Sequence, residues 1–113
     1  NKENDTYLLD TLMSKSNREI VMELDTYWSA KAGVNTPQYM LDHQEILPLI
    51  HLKDGDGENL TSIGEGKIDI QKVLDTAKAA GVEWVVVEND DPKPNGFEDA
   101  KRSMENLKSK YIF

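Results

Sequence analysis

A chain of 113 residues is long enough to form one domain with a hydrophobic core. With 38% hydrophobic and 30% charged residues the composition is globular, and the formal net charge of −8 argues against binding to nucleic acid or to anionic membranes. The absence of cysteine excludes disulfides, thiolate metal sites and a cysteine nucleophile. No apolar stretch reaches the roughly 18 residues of a membrane span and no signal peptide is recognisable, so we expect a cytoplasmic protein.

The first half of the chain predicts two helices and two strands in alternation. Apolar residues recur at helical spacing over residues 3–14, which predicts the first helix. An apolar run over residues 19–24 predicts the first strand, and we expect the aromatic segment 27–34 after it to be irregular. Asn35 can cap a short second helix, which leads into the second strand at residues 47–50.

The second half continues with a loop, a helix, a strand and a final helix. The loop 54–67 is polar and rich in glycine. Asp69 can cap the helix that follows, and Gly81 is a typical helix end. The third strand is predicted over residues 82–87 and the last helix over residues 97–110. The predicted buried stripe of this last helix consists of Ala100, Met104, Leu107 and Tyr111.

The alternation of strands and helices favours an α/β fold with right-handed β-α-β crossovers and a parallel sheet. Each strand-forming run ends in a potential metal ligand, which is Asp25, His51 or Glu88. Because parallel strands point their C-terminal ends the same way, we expect these side chains to converge on one rim of the sheet. One imidazole and two carboxylates suit a divalent cation of the Mn, Mg, Zn or Co type.

Each of these three residues also has a structural alternative. Asp25 could cap a turn or a helix after its strand, and His51 could be a hydrogen-bonded core histidine. Glu88 is harder to explain in this way, because a carboxylate that ends a run of three valines needs a partner if it is buried. The coincidence of all three at strand ends favours the metal site.

Four short stretches resemble the sugar phosphate isomerase/epimerase family, which has the xylose isomerase-like TIM barrel. The stretches are LDTYW (24–28) with AG (32–33), HLKD (51–54), GEGKID (64–69) and VEND (87–90). They occur in the order of the family, with suitable gaps, and span most of the chain. The resemblance places them at the sixth, seventh and eighth strands of the barrel.

An incomplete barrel is the fold that this resemblance implies. A complete TIM barrel has about 250 residues and eight strands, of which this chain supplies about three. We therefore expect residues 1–113 to form one C-terminal segment of a longer enzyme. The alternative is a short form that pairs with a second copy, as a homo-oligomer, through its exposed sheet edges.

For the site, the resemblance implies that Asp25, His51 and Glu88 hold the metal and that Glu88 is also the general base. The implied reaction is isomerisation or epimerisation of a sugar or sugar phosphate by proton transfer through an enediolate. The family's fourth ligand, a glutamate that also acts as acid or base, has no counterpart upstream of Asp25, so we expect this chain alone to be inactive.

Two further residues are expected to contact the substrate. Lys53 follows His51 by two positions, so on a strand it shares the direction of that side chain. Trp28 could form an apolar wall for a sugar ring. The structural alternatives are an ion-paired rim residue for Lys53 and a packing residue for Trp28.

The acidic loop suggests a function of a different class. Asp54, Asp56, Glu58 and Glu65 have the spacing of oxygen ligands in a calcium-binding EF-hand loop. Asn59 stands where that loop requires glycine, and a strand precedes the loop instead of a helix, so a solvated acidic loop explains the pattern better. A further alternative is a non-catalytic α/β interaction module, which predicts no metal dependence.

Overall fold

The computed structural model describes residues 2–3, 6–7 and 21–113, in which short strands alternate with helices. In chain order the elements are β1 (Lys2–Glu3), β2 (Thr6–Tyr7), β3 (Glu23–Asp25), α1 (Thr26–Lys31), α2 (Thr36–Asp42), a 3-10 helix (Gln44–Ile46), β4 (Leu49–Leu52), β5 (Asp54–Gly55), β6 (Leu60–Thr61), α3 (Ile70–Ala79), β7 (Trp84–Val87) and α4 (Gly96–Lys110). The predicted α/β architecture is confirmed.

The central sheet has three parallel strands in the order β3-β4-β7. In its register Asp25 lies opposite His51, and His51 lies opposite Val86. The amide of Glu88 extends the ladder by donating to the carbonyl of Leu52 at 3.1 Å. Within the described residues the sheet is open and does not close into a barrel, and the C-terminal ends of its strands share one rim, as predicted.

The N-terminal pairing differs from the sequence prediction. β1 and β2 pair antiparallel, with Glu3 opposite Thr6. The helix predicted over residues 3–14 is therefore wrong at its start, where the backbone pairs between strands and not along a helix. The rest of that predicted helix, and the first residues of the strand predicted over 19–24, lie outside the described residues.

A helix, α1, occupies most of the segment 27–34, which was predicted to be irregular. Asp25 ends β3 and caps this helix, since its Oδ1 accepts hydrogen bonds from the amides of Tyr27 at 3.0 Å and Trp28 at 2.9 Å. A capping carboxylate provides acceptors for the first amides of a helix, which otherwise have none. Gly33, at φ 82°, takes the left-handed conformation that ends the segment.

The core lies on the helical side of the sheet. Along β4 the exposure alternates, because Ile50 and Leu52 are fully buried whereas Leu49 and His51 are half-buried. Helices α2 and α3 cover the buried side. The largest apolar side chains enclosed there are Met40, Leu47, Ile50, Leu52, Ile63 and Ile70. His51 therefore projects away from this core, which is not the environment of a core histidine.

The inward face of α4 is more polar than predicted. Ala100 and Met104 are exposed. The buried residues of the helix are Asp99, Ser103 and Leu107, while Tyr111 is half-buried. The amide of Ile63 donates to Oγ of Ser103 at 3.0 Å, and Nδ2 of Asn106 donates to the carbonyl of Ile63 at 2.8 Å. Hydrogen bonds from α4 to the loop before α3 thus set which face of α4 points inward. The pattern of apolar residues in the sequence does not reveal these hydrogen bonds.

Apolar side chains of β7 are exposed at one edge of the sheet. Trp84 is 64% exposed and Val86 is 42% exposed. In a closed barrel an edge strand would pair with another strand and this face would be covered.

None of the described helices is long and apolar enough to cross a membrane.

Candidate metal centre

Three side chains from the strand ends meet at one point. Asp25 is the last residue of β3, His51 lies in β4, and Glu88 directly follows β7. One potential ligand atom from each lies within 4.8 Å of the others, and all three residues are half-buried. The parallel register is the cause, because it aligns residues that are far apart in the sequence.

Asp25 uses its two oxygens for different purposes. Oδ1 caps α1, as described above, which is the structural alternative considered for this residue. Oδ2 lies 2.8 Å from Nζ of Lys53, on the side of the site. The hydrogen bonds of the cap therefore hold the Asp25 carboxylate in place. Asp25 can cap α1 and belong to the site at the same time.

His51 lies between two carboxylates. Its Nδ1 contacts Oε2 of Glu88, and its Nε2 contacts Oε1 of Glu23. Glu23 is not among the residues predicted from the sequence. Its position two residues before Asp25 is the signal that could have found it, since residues two apart on a strand share one face.

The two carboxylate oxygens of Glu88 have different surroundings. Oε1 lies 3.4 Å from Nζ of Lys53. Oε2 is buried and, among the residues that the structure describes, no donor gives it a hydrogen bond, although it touches the ring of His51. A buried carboxylate oxygen without a donor is costly unless a cation or a proton meets it. Together with Asp25 and His51, this oxygen fits a divalent cation.

Lys53 is buried, with 3% of its side chain exposed, and three carboxylates surround its ammonium group. Nζ lies 2.8 Å from Asp25, 2.7 Å from Asp90 and 3.4 Å from Glu88. Burial alone would lower the pKa of Lys53, but the hydrogen bonds with Asp25 and Asp90 and the charge of Glu88 outweigh it and raise the pKa above its ordinary value. Lys53 thus adds a positive charge to the site, and its contact with substrate stays a prediction.

Asp90 is a second site residue that the sequence does not single out. The hydrogen bond from Lys53 lowers the pKa of Asp90 below its usual value of 3.8. A carboxylate with a depressed folded-state pKa contributes stability above its unfolded-state pKa, and this contribution is lost as the pH falls through the folded-state value. Asp90 is therefore expected to contribute stability at neutral pH but not in strong acid.

We expect Asp90→Asn to destabilise the protein at about pH 7 and to differ less from the wild type at a second pH well below 3.8, the usual pKa of the group, where the folded-state carboxylate loses its charge. Urea unfolding at both pH values measures the difference. The control is Asp91→Asn, because Asp91 pairs with Lys93 at 2.9 Å where both side chains are exposed. An Asp90→Asn deficit of equal size at both pH values would contradict the assignment.

Trp28 lies beside the site and is 46% exposed. Its ring meets Tyr27 edge to face at a centroid distance of 5.0 Å. The ammonium groups of Lys31 and Lys53 lie 5.4 and 5.8 Å from the Trp28 ring centroid, within the range of cation–π contacts. The aromatic ring is therefore held in place next to the site, and its contact with substrate stays a prediction.

The loop after β4 is organised around Asp54, which is fully buried. Its carboxylate accepts hydrogen bonds at 2.8 to 3.1 Å from the amides of Gly55, Gly64, Gly66 and Ile68. Asp56 instead accepts from two amides of the following turn, Asn59 and Glu58, which lower its pKa. Because Asp54 points into its own loop, the geometry argues against the calcium-binding alternative.

The sequence matches no protein-family model, and no curated protein is significantly similar to it. The structure, however, superposes on a sugar phosphate isomerase/epimerase from Parabacteroides distasonis with a TM-score of 0.75. The match covers 97% of this chain at 20% sequence identity. The chain shares the fold of part of that enzyme. It spans 38% of the length of that protein.

At this level of identity the likeness concerns the fold. It confirms the resemblance inferred from the four sequence stretches and agrees with an incomplete barrel, since this chain corresponds to a minor part of the longer protein. The roles of the individual side chains rest on the geometry described above.

Proposed function

We propose that Asp25, His51 and Glu88 bind one divalent cation of the Mn, Mg, Zn or Co type. The observation that carries this proposal is Oε2 of Glu88, which is buried, receives no hydrogen bond from the described residues and faces the ring of His51. Two carboxylates and one imidazole within 4.8 Å of one another are a donor set that such cations accept.

The enzyme to which this sheet belongs is proposed to isomerise or epimerise a sugar or sugar phosphate. Support comes from the likeness of the fold to a sugar phosphate isomerase/epimerase and from a strand-end site of the kind that barrel enzymes use for catalysis. We also propose that residues 1–113 form a C-terminal segment of this enzyme. The open sheet, the exposed apolar side chains of β7 and the match to 38% of a longer chain support that placement.

In this reaction a bound divalent cation would supply Lewis-acid polarisation of the substrate carbonyl. Glu88 would remove the proton alpha to that carbonyl, giving an enediolate, and return the proton to the neighbouring carbon, which yields an isomer. Lys53 places a positive charge beside Asp25 and Glu88, where it offsets the repulsion between them. Trp28 would bound the apolar side of a sugar ring.

Epimerisation generally needs a second acid on the opposite face of the substrate. The resemblance to the family implies that the glutamate for this role lies on an earlier strand of the barrel, so we expect the 113-residue chain alone to be inactive towards sugars. Rapid sugar epimerisation by the purified chain would contradict this expectation.

Metal binding is tested by titrating the 113-residue protein with Mn²⁺ and measuring free Mn²⁺ by electron paramagnetic resonance. We expect one ion per chain, and His51→Ala should weaken binding by about 100-fold or more because it removes a ligand. The control is His43→Ala, since His43 ends α2 and stacks on Tyr39 with ring centroids 4.0 Å apart.

Two outcomes would contradict the metal site. Equal Mn²⁺ affinity in the wild type and His51→Ala would place the ion elsewhere. Absence of binding in the wild type is what a non-catalytic interaction module predicts.

A further inference from the structure

We propose that Glu23 is a positioning residue that fixes the ring of His51 so that Nδ1 is the nitrogen presented to the cation. This inference rests on the proposed metal site and adds a residue to it. Glu23 Oε1 contacts Nε2 of His51, while Nδ1 of the same ring faces Glu88. The two ring nitrogens thus have separate carboxylate neighbours on opposite sides.

The register of the sheet explains why Glu23 reaches this ring. Glu23 pairs with Leu49, and Asp25 pairs with His51, so Glu23 lies diagonally across from the histidine on the same face. A diagonal pair on neighbouring strands is within reach of a long side chain. Leu24, between the two acidic residues, points to the other face and is buried in the core. The Glu-Leu-Asp order of β3 therefore places two carboxylates on the side of the sheet that carries His51.

The placement of Glu23 differs from that of a ligand. The potential ligand atoms that gather within 4.8 Å of one another belong to Asp25, His51 and Glu88, and within the described part of the chain Glu23 is not a member of this group. Its side chain is 55% exposed, compared with 32% for Glu88. Glu23 thus approaches the imidazole from the outer, more solvated side.

A carboxylate at one nitrogen of an imidazole has a defined chemical effect. A neutral histidine carries its proton on one ring nitrogen only, and the hydrogen bond made by that nitrogen decides which tautomer is present. A carboxylate at Nε2 accepts a hydrogen bond from Nε2–H, and this leaves the lone pair of Nδ1 for a cation. The same hydrogen bond holds the ring orientation, so that less ordering is needed when the cation binds.

The test compares Glu23→Gln with wild-type protein by two measurements. Mn²⁺ affinity is measured by electron paramagnetic resonance, and the proton position on His51 is measured by ¹⁵N NMR of the cation-free protein at a pH where the ring is neutral. We expect one Mn²⁺ per chain in both proteins, with affinity roughly 10- to 100-fold weaker in Glu23→Gln. In the wild type the ¹⁵N signals should report the proton on Nε2, and this preference should be reduced in the variant.

Two further variants separate positioning from charge. Glu83→Gln removes the same charge from an exposed residue just before β7, and its affinity should stay within about twofold of the wild type, because an exposed charge at a distance is screened. Glu23→Asp keeps the charge but shortens the side chain, so it should weaken Mn²⁺ binding as well. Wild-type affinity in Glu23→Asp would overturn the positioning role and assign the effect to charge alone.

Failure of this inference and failure of the metal site give different results. If the wild type and Glu23→Gln bind Mn²⁺ equally and show the same His51 tautomer, the role of Glu23 is overturned while the metal site stands. If the wild type does not bind Mn²⁺, both are overturned.

Discussion

Asp54→Ala is expected to lower the free energy of unfolding by about 3–5 kcal/mol, because it leaves four buried or part-buried backbone amides without an acceptor. In the native protein the carboxylate of Asp54 accepts hydrogen bonds from four amides of the loop between β4 and α3, and the residue has no exposed surface. Alanine removes every one of these acceptors, and the enclosed site gives water little access to replace them. Urea unfolding monitored by circular dichroism measures the loss.

The matched control for this prediction is Asp56→Ala, two residues further along the same loop. Asp56 also accepts two amide hydrogen bonds, from Glu58 and Asn59, but it does so in an exposed turn where water can take its place. Its substitution should cost much less than that of Asp54. Equal losses for the two variants would show that Asp54 does not hold the loop through its buried hydrogen bonds.

Lys53→Met is expected to destabilise the cation-free protein by about 2–3 kcal/mol, which is less than for a fully buried ion pair because its partners are partly exposed. Methionine has similar length but no charge, so Asp25, Glu88 and Asp90 would face one another without the ammonium group that now lies 2.7 to 3.4 Å from each. We expect added Mn²⁺ to recover part of this loss, since a cation that binds the folded state stabilises it. Thermal unfolding with and without Mn²⁺ measures both effects.

The control for Lys53→Met is Lys93→Met. Lys93 also pairs with an aspartate, at 2.9 Å from Asp91, but 72% of its side chain is exposed. An exposed pair of this kind contributes little, and the change in stability should be within about 0.5 kcal/mol. If Lys93→Met costs as much as Lys53→Met, burial within the carboxylate cluster is not the reason for the effect.

The pH dependence of the Lys53 contribution has a definite sign. The folded-state pKa of Lys53 is raised above its usual value of 10.5, so the stabilising effect is fully present below that value. It is lost only as the pH rises through the folded-state pKa. Across the neutral range the difference in stability between wild type and Lys53→Met should therefore be constant.

Local sequence signals account for much of the fold. Asp69 caps α3 through a hydrogen bond from the amide of Lys72 at 3.0 Å, and Gly81 follows that helix at φ 74°, as the sequence predicts. These features involve residues close together in the chain, so they can be read without knowing the fold. At Asp25 the sequence predicts the end of the strand β3. It does not predict the helix α1, which Asp25 caps.

The candidate metal site was predictable to the extent that it depends on strand direction. A parallel sheet places every strand end at the same rim, and Asp25, His51 and Glu88 are all strand-end residues. Asp90 and Glu23 were not predictable in the same way. Each contacts a residue more than twenty positions away, and only the register and the path of the loops decide which acidic residue lies at that distance.

By itself the sequence determined the three parallel strands, the helices α2, α3 and α4 and the residues placed at the strand ends, because these follow from hydrophobic period and from caps within a few residues. The tertiary structure alone decided which carboxylates surround Lys53, that Asp54 holds a loop and that α4 turns a polar face inward. The reason is physical. A buried polar group must find a partner, and the partner is selected by the packing of segments distant in the chain, which no local pattern of residues encodes.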